Sequence, residues 1–271
     1  MMDITTNEEP NVLEVALSTI NKLAHQPDIM NRLNELATKT TSLHLFLRLY
    51  DDYEKEGLDQ DDEILNWTVP VITRELNAAL WNLASGFYKT AATCLSSALE
   101  MGIVALYFQV LENEKGNQVM SKEFVEWYSY NASTPSWKKV ITKLKQDQNI
   151  EKFSKQFDYV PLKEVNDLYS YFQDFIRNRN LSSIDTEGAN YMNMRNSAGE
   201  FSNDEFLRFS DAFDSTIGMI ASSWALVYPH IVEGYSHTYS STSYSTLVDL
   251  FQPLYPQFVL YHLNTKSTAG A

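Results

Sequence analysis

ELNAALWNLASGFYKTAATCLSSALEMGIVALYFQVLE, residues 75–112, is the longest apolar stretch of this 271-residue chain and decides its fold class. Its apolar and small side chains recur at steps of three and four, the spacing of one helical face: Leu76, Leu80, Leu83, Phe87, Ala91, Cys94, Ala98, Met101, Ala105 and Phe108. A second stripe runs beside the first: Tyr88, Leu95, Leu99, Leu106 and Val110. The pattern predicts one continuous helix of roughly 50 Å, covered on two sides.

Helical periodicity also dominates the segments before and after this stretch. Only 9 glycines are present, which argues against the many tight turns of an all-β protein. Two short helices are expected over residues 11–24 and 28–39, with Pro27 near the first turn of the second, and a third over residues 42–56. The chain is therefore predicted to be an all-α helical bundle around a long central helix.

Composition restricts the environment and the partners. The 35 acidic residues outnumber the 21 basic ones and give a net charge of -14, which repels a phosphate backbone. No DNA binding is expected, and an RNA contact requires a local basic patch. The single cysteine, Cys94, fits a reducing compartment. The acidic N-terminus does not resemble a signal peptide, and no apolar run approaches the roughly 20 residues of a membrane span. We expect a cytoplasmic protein without membrane contact.

Motifs of familiar catalytic chemistry are absent from the sequence. It contains no glycine-rich phosphate loop, no GxSxG elbow and no HExxH pair, and its five histidines are scattered. Pairs of carboxylates carry little information in so acidic a chain. We therefore expect neither a metal site nor a cofactor.

The basic region of the sequence lies between residues 138 and 155, where six lysines accompany two acids. Ser136 or Thr134 is expected to cap a short helix here, with an inward stripe of Trp137, Val140, Ile141 and Leu144. Its outer face is either a solvated lysine-rich surface or a phosphate-binding surface. The candidate phosphate-binding residues are Lys138, Lys139, Lys143 and Arg177.

RNRNLSSIDTEG, residues 177–188, follows a helix that is expected to begin at Pro161. Phe172 and Ile176 belong to the inward stripe of that helix, and Arg179 continues the stripe at helical spacing. Arg177 is rotated by roughly 200° from Arg179 and points to the other side. The two guanidinium groups therefore cannot share one pocket.

A guanidinium withdrawn from water requires a partner, because an unpaired buried charge is costly. Two carboxylates are candidate partners for Arg179: Asp185 across the turn, and Glu100 on the central helix as a structural partner. In the alternative interpretation, Asp185 only completes a capping box with Ser182.

Two segments resemble HEPN (higher eukaryotes and prokaryotes nucleotide-binding) domains. GFYKTAATCLSSALE, residues 86–100, is similar to their long signature helix, in which a glycine, an aromatic, a small residue and a closing Leu-Glu recur. Arg179 and Asn180 match the start of the RN-x4-H motif of HEPN ribonucleases, with Asp185 at the histidine position. The resemblance covers roughly residues 70–232.

This resemblance implies a domain organisation and an assembly. Residues 70–232 would form the HEPN-like core, residues 1–60 an N-terminal helical extension, and residues 236–271 a polar linker with a C-terminal apolar segment. HEPN proteins commonly pair across the motif helix, so a homodimer is expected. Aromatic side chains on the predicted helices support that expectation: Trp81, Tyr169, Phe172 and Trp224.

The resemblance also implies candidate catalytic residues, namely Arg179, Asn180 and Asp185. Active HEPN ribonucleases are metal-independent, with histidine acting on the 2′-hydroxyl or the leaving group and arginine stabilising the phosphate. A carboxylate ionised at pH 7 accepts a proton but does not donate one, and it repels the scissile phosphate. Ser96 also stands where many relatives have an arginine. These departures indicate a degenerate site.

Three functions are compatible with the sequence. In the first, the chain is a non-catalytic or regulatory HEPN-like component of a prokaryotic defence or toxin–antitoxin type system, with a protein partner in a defence complex. In the second, it is a metal-independent endoribonuclease in which Arg179 and Asn180 hold phosphate and Asp185 is the general base. In the third, it is an acidic helical adaptor between proteins, unrelated to RNA.

Overall fold

The computed structural model describes residues 26–54, 63–115, 122–157, 161–177, 201–228 and 250. Eight helices and no strand lie in these residues: α1 Pro27–Glu54, α2 Glu63–Ala84, α3 Tyr88–Lys115, α4 Lys122–Tyr128, α5 Trp137–Leu144, α6 Gln148–Phe157, α7 Pro161–Ile176 and α8 Asn203–Val227. The predicted all-α helical bundle is thereby confirmed.

The central apolar stretch forms two helices, so the prediction of one continuous helix is wrong. The chain turns at Gly86, whose φ of 75° lies in the left-handed region that favours glycine. The Phe87 amide donates to the Asn82 carbonyl at 2.8 Å, and the Gly86 amide donates to the Leu83 carbonyl at 3.2 Å. This pair of bonds closes a helix at a left-handed glycine. Because α2 and α3 pack against each other along their lengths, both keep the apolar spacing that suggested one helix.

α1 is longer than the sequence suggested, because it joins the second and third of the three expected helices into one. The polar stretch between them carries hydroxyl groups that donate to the carbonyl four residues earlier, at 2.8 to 3.2 Å. The residues that do so are Thr38, Thr40, Thr41 and Ser42. These bonds satisfy the side chains within the helix, so the polar stretch does not end it. Pro27 opens α1, as predicted.

α3 is the central helix of the bundle. It packs against α2, α5, α7 and α8, and every member of its second stripe is buried. One window of the described residues, Tyr88–Glu112 within α3, is long and apolar enough by composition to cross a membrane, contrary to the expectation that no segment reaches this length. The protein itself covers 72% of that window, as is usual for a core helix.

An ion-pair cluster attaches α1 to α8. The Asp214 carboxylate accepts from Lys39 Nζ at 2.8 Å and also pairs with Arg32. Glu35 completes the cluster at 2.9 Å from Arg32 and 3.1 Å from Lys39. The Asp214 side chain is only 12% exposed, so its pairing is partly shielded from solvent. The described part of the predicted N-terminal extension therefore shares its core with α2 and α8.

Several local predictions beyond α3 are confirmed. Ser136 is the N-cap of α5 and accepts from the Lys139 amide, and the expected stripe of α5 faces the core. α7 begins at Pro161.

Two of the aromatic residues offered in support of a dimer, Phe172 and Trp224, are fully buried in the protomer, so that argument is wrong for both. Tyr169 is half-buried, whereas Trp81 is exposed.

α3 and α8 approach each other closely at Gly102. A Cβ atom added there would stand 2.8 and 2.9 Å from two carbons of Ile220. One turn further along α8, the Trp224 indole donates to the Gly102 carbonyl at 3.0 Å. A side chain at position 102 would therefore both displace Ile220 and disturb this buried hydrogen bond.

We predict that Gly102→Ala lowers the free energy of unfolding by about 1–3 kcal/mol, because it overpacks the contact with Ile220. Urea denaturation followed by circular dichroism measures this change. Thr93→Ala, on the exposed face of the same helix, should stay within about 0.5 kcal/mol of the parent. In the double variant Gly102→Ala, Ile220→Ala, the total loss should be smaller than the sum of the single losses. Additive losses would contradict the proposed contact.

Candidate functional site

The junction singled out in the sequence lies between α7 and α8. Arg179, Asn180 and Asp185 fall outside the described residues, so their pairing stays a prediction. Arg177 is described and is exposed, and its amide still bonds to the Gln173 carbonyl at the end of α7. The site is therefore built from the described helices on either side of the junction.

α7 packs against the middle of α3, and one side-chain hydrogen bond joins them directly. Gln173 Nε2 donates to Ser96 Oγ at 3.1 Å. Ser96 is 4% exposed, so this hydrogen bond lies within the interface. A small hydroxyl with an amide partner leaves no cation at this point of the interface.

Glu100 lies one turn beyond Ser96 on α3. Its carboxyl group is half-buried, and this burial raises its pKa. No ion pair joins Glu100 to a cation among the residues that the structure describes. The neighbouring Tyr169 on α7 has a raised pKa, first through burial and then through the charge of Glu100, while the charge of Arg177 opposes the shift. The charges of Glu100 and Arg177 therefore act together on Tyr169, where α3 and α7 meet.

Aromatic stacking connects α5 to the same face of α7. The rings of Trp137 and Tyr169 stack with centroids 4.0 Å apart and planes 17° apart. The Trp137 indole also donates to Asn166 Oδ1 at 3.1 Å. These contacts hold α5, the lysine-rich helix, against α7.

The lysines of α5 are largely engaged within the protein. Lys143 donates to both carboxylate oxygens of Glu114 at 2.7 Å. The ammonium group of Lys139 lies 5.7 Å from the ring centroid of Tyr107. Lys138 is exposed and makes no ion pair with another described residue. Of the candidate phosphate-binding residues, only Lys138 and Arg177 thus present a charge to solvent without such a partner.

The far side of the junction is fixed by Tyr88, a residue that the sequence marked only as part of an apolar stripe. Its hydroxyl accepts from the Ser202 amide and donates to the Ser202 carbonyl, both at 2.9 Å. Ser202 is also the N-cap of α8, accepting from the Glu205 amide. Burial raises the pKa of Tyr88 to about 12. The first turn of α3 therefore holds the first turn of α8.

Sequence reasoning also missed Arg208. Its guanidinium carbon lies 5.3 to 5.8 Å from the ring centroids of Tyr171, Phe175 and Phe209, and Glu205 pairs with it at 3.6 Å. Tyr171 and Phe175, one turn apart on α7 and both partly buried, were the available signal, because such an aromatic face can hold a cation. This arrangement fixes the second face of α7 against α8.

The described residues contain no cluster of three or more histidine, cysteine, aspartate or glutamate side chains that could hold a metal ion. No protein-family model, no curated protein and no solved structure matches the chain.

We predict that Glu100→Gln raises the free energy of unfolding at pH 7. Burial raises the pKa of Glu100 in the folded protein, so the folded state holds its proton more tightly than the unfolded state. The stability that this group contributes is complete below the pKa that Glu100 has in the unfolded chain. It is lost as the pH rises through the raised pKa of Glu100 in the folded protein. The advantage of the glutamine variant should therefore disappear below about pH 4.

Chemical denaturation at a series of pH values measures this difference. Glu126→Gln on the surface helix α4 is the matched control and should show little effect at any pH. A loss of stability in Glu100→Gln at pH 7 would contradict the prediction. It would indicate instead that a cation holds the carboxylate, as a pairing with Arg179 requires.

Proposed function

We propose that this chain is a HEPN-like helical protein that acts without catalysis, as a regulatory component of a prokaryotic defence or toxin–antitoxin type system. The order of its helices supports the proposal: the long helix α3 carries the HEPN-like segment, the short helices α4 to α6 follow, and α7 leads to the Arg179 junction before the long helix α8. The family resemblance rests on those two segments.

The observation that carries the non-catalytic part is the electrostatic environment between α3 and α7. The charge of Glu100 on α3 contributes to the raised pKa of Tyr169 in the middle of α7. The hydroxyl of Ser96 is used by Gln173. An RNA phosphate placed here would meet a carboxylate on α3 where a catalytic cleft requires cations.

The chemistry of Asp185 leads to the same conclusion. Cleavage through the 2′-hydroxyl needs one group to take a proton and another to give one to the leaving oxygen. An ionised aspartate performs only the first step. Two of the three α5 lysines are engaged within the protein, because Lys143 pairs with Glu114 and Lys139 lies over Tyr107.

We predict little or no cleavage when the purified full-length protein is incubated with total RNA in the presence of EDTA, because an ionised aspartate at position 185 does not protonate the leaving oxygen. Gel analysis of the RNA over time measures this. Asp185→His supplies the missing acid and should give weak activity if Arg179 lies in a complete cleft, while Asp185→Asn should stay inactive. Robust cleavage by the parent protein that Arg179→Ala abolishes would overturn the proposal in favour of an endoribonuclease.

A structural role for Arg179 leads to a further prediction, which concerns stability. If Arg179 is withdrawn from water and paired with a carboxylate, Arg179→Ala should lower the free energy of unfolding by about 3 kcal/mol. Arg177→Ala is the matched control, because Arg177 is exposed, and it should cost well under about 1 kcal/mol. Urea denaturation compares the two variants. Equal and small losses would show that Arg179 faces solvent.

A further inference from the structure

A cluster of exposed apolar side chains lies on and just after α4. Six large apolar residues are exposed among the described residues, and three of them fall within six consecutive positions: Val125 at 41%, Tyr128 at 42% and Tyr130 at 89%. Val125 and Tyr128 are three residues apart and so share one helical face. We call these three residues the α4 surface.

The α4 surface rests on a rigid aromatic base. The ring of Tyr128 lies 5.6 Å from that of Trp67 on α2 and 5.9 Å from that of Phe124. Trp67 in turn meets Trp127 edge-on at 4.9 Å. Because these contacts fix the Tyr128 ring before any partner binds, little side-chain entropy remains to be lost on binding.

Tyr130 occupies a position that glycine would fill at lower conformational cost. Its φ of 58° lies in the left-handed region. Its amide donates to the Trp127 carbonyl at 3.1 Å, and the next amide, that of Asn131, donates to the Glu126 carbonyl at 2.8 Å. These bonds end α4 and do not involve the phenol ring. The fold therefore uses only the backbone at this position, while the side chain is presented to solvent.

We infer that the α4 surface is the docking site of a cationic polypeptide segment whose arginine or lysine side chains stack on Tyr128 and Tyr130. The net charge of -14 attracts a basic partner over long range. At contact, the negative face of an aromatic ring attracts a cation. The same chemistry already operates within the chain, where Lys139 lies over Tyr107 and Arg208 over Tyr171.

Charge also separates this partner from the other occupants of an aromatic surface. A nucleic acid would stack on tyrosine rings, but the net charge of the protein repels its phosphates. A second copy of this chain would bring an equal negative charge. A basic segment is favoured by both the long-range and the local interactions.

The inference deepens the proposed function and rests on it, because it names the surface on which a non-catalytic component meets its partner. The two can fail separately. RNA cleavage dependent on Arg179 would remove the proposed function and leave peptide binding unaffected. Absence of peptide binding would remove the docking site and leave the cleavage result unaffected.

The test uses the full-length protein and a short fluorescein-labelled peptide of alternating arginine and serine. Fluorescence anisotropy at constant ionic strength measures binding. Tyr130→Gly should weaken binding by about fivefold or more, since an exposed anchor residue is lost. The same variant should unfold at a higher urea concentration than the parent, because glycine relieves the left-handed backbone. Loss of binding with a gain of stability separates docking from folding.

Two further variants and a second peptide complete the experiment. Tyr128→Ala should also weaken binding by about fivefold, whereas Leu207→Ala, which removes an exposed apolar side chain on α8, should leave binding unchanged. A peptide with glutamate in place of arginine should not bind. Equal affinity of the parent and Tyr130→Gly for the arginine peptide would overturn the inference, as would absence of binding to the parent. Light scattering that shows Tyr130→Gly dissociating a dimer would also overturn it, by identifying a second copy as the occupant.

Discussion

The close contact between α3 and α8 at Gly102 is the constraint on which the rest of the bundle depends. Only a residue without a side chain lets Ile220 approach this closely, and the carbonyl thus exposed accepts the Trp224 indole. With α8 seated there, and with α2 and α7 on other sides, α3 is covered around most of its circumference. A helix covered in this way tolerates few polar side chains, and each of them needs a partner. Ser96 accepts a hydrogen bond from Gln173, while the carboxyl group of Glu100 is only half-buried.

This packing also fixes the ends of the two helices that flank residues 178–200. Gln173 holds the last turns of α7 against α3, and Tyr88 holds the first turn of α8 against the start of α3. The helix ends on both sides of this segment are therefore held by α3. A site next to these ends would lie close to α3, whose polar side chains in this region include Ser96 and Glu100.

Much of the fold was predictable, because local patterns determine it. The cap at Ser136, the stripe that follows it and the start of α7 at Pro161 depend on neighbours within a few residues, and each is confirmed. The break at Gly86 was missed because two packed antiparallel helices keep the same apolar spacing as one long helix. The site was less predictable, since its contacts join distant positions. Lys143 and Glu114 are 29 residues apart, and Tyr88 and Ser202 are 114 apart. No local sequence pattern indicates such pairs. A helix face whose lysines are paired therefore has the same local sequence pattern as one whose lysines are free.

The exposed face of α7 limits how two copies of the chain could pair across this helix. Its inner faces are used by α3 and α8, and the exposed positions recur at helical spacing with polar residues alone: Lys163, Asp167, Ser170, Asp174 and Arg177. A two-fold axis through Ser170 with the helices antiparallel would set Lys163 opposite Arg177 and would bring Asp167 within one position of Asp174. Cations would then meet at both ends of the contact, although Lys163 already pairs with Asp167 at 2.8 Å. A symmetric dimer through this helix must therefore be offset from that axis or must draw its apolar area from elsewhere. Such an interface would be polar and sensitive to salt, unlike the hydrophobic interface of an obligate dimer.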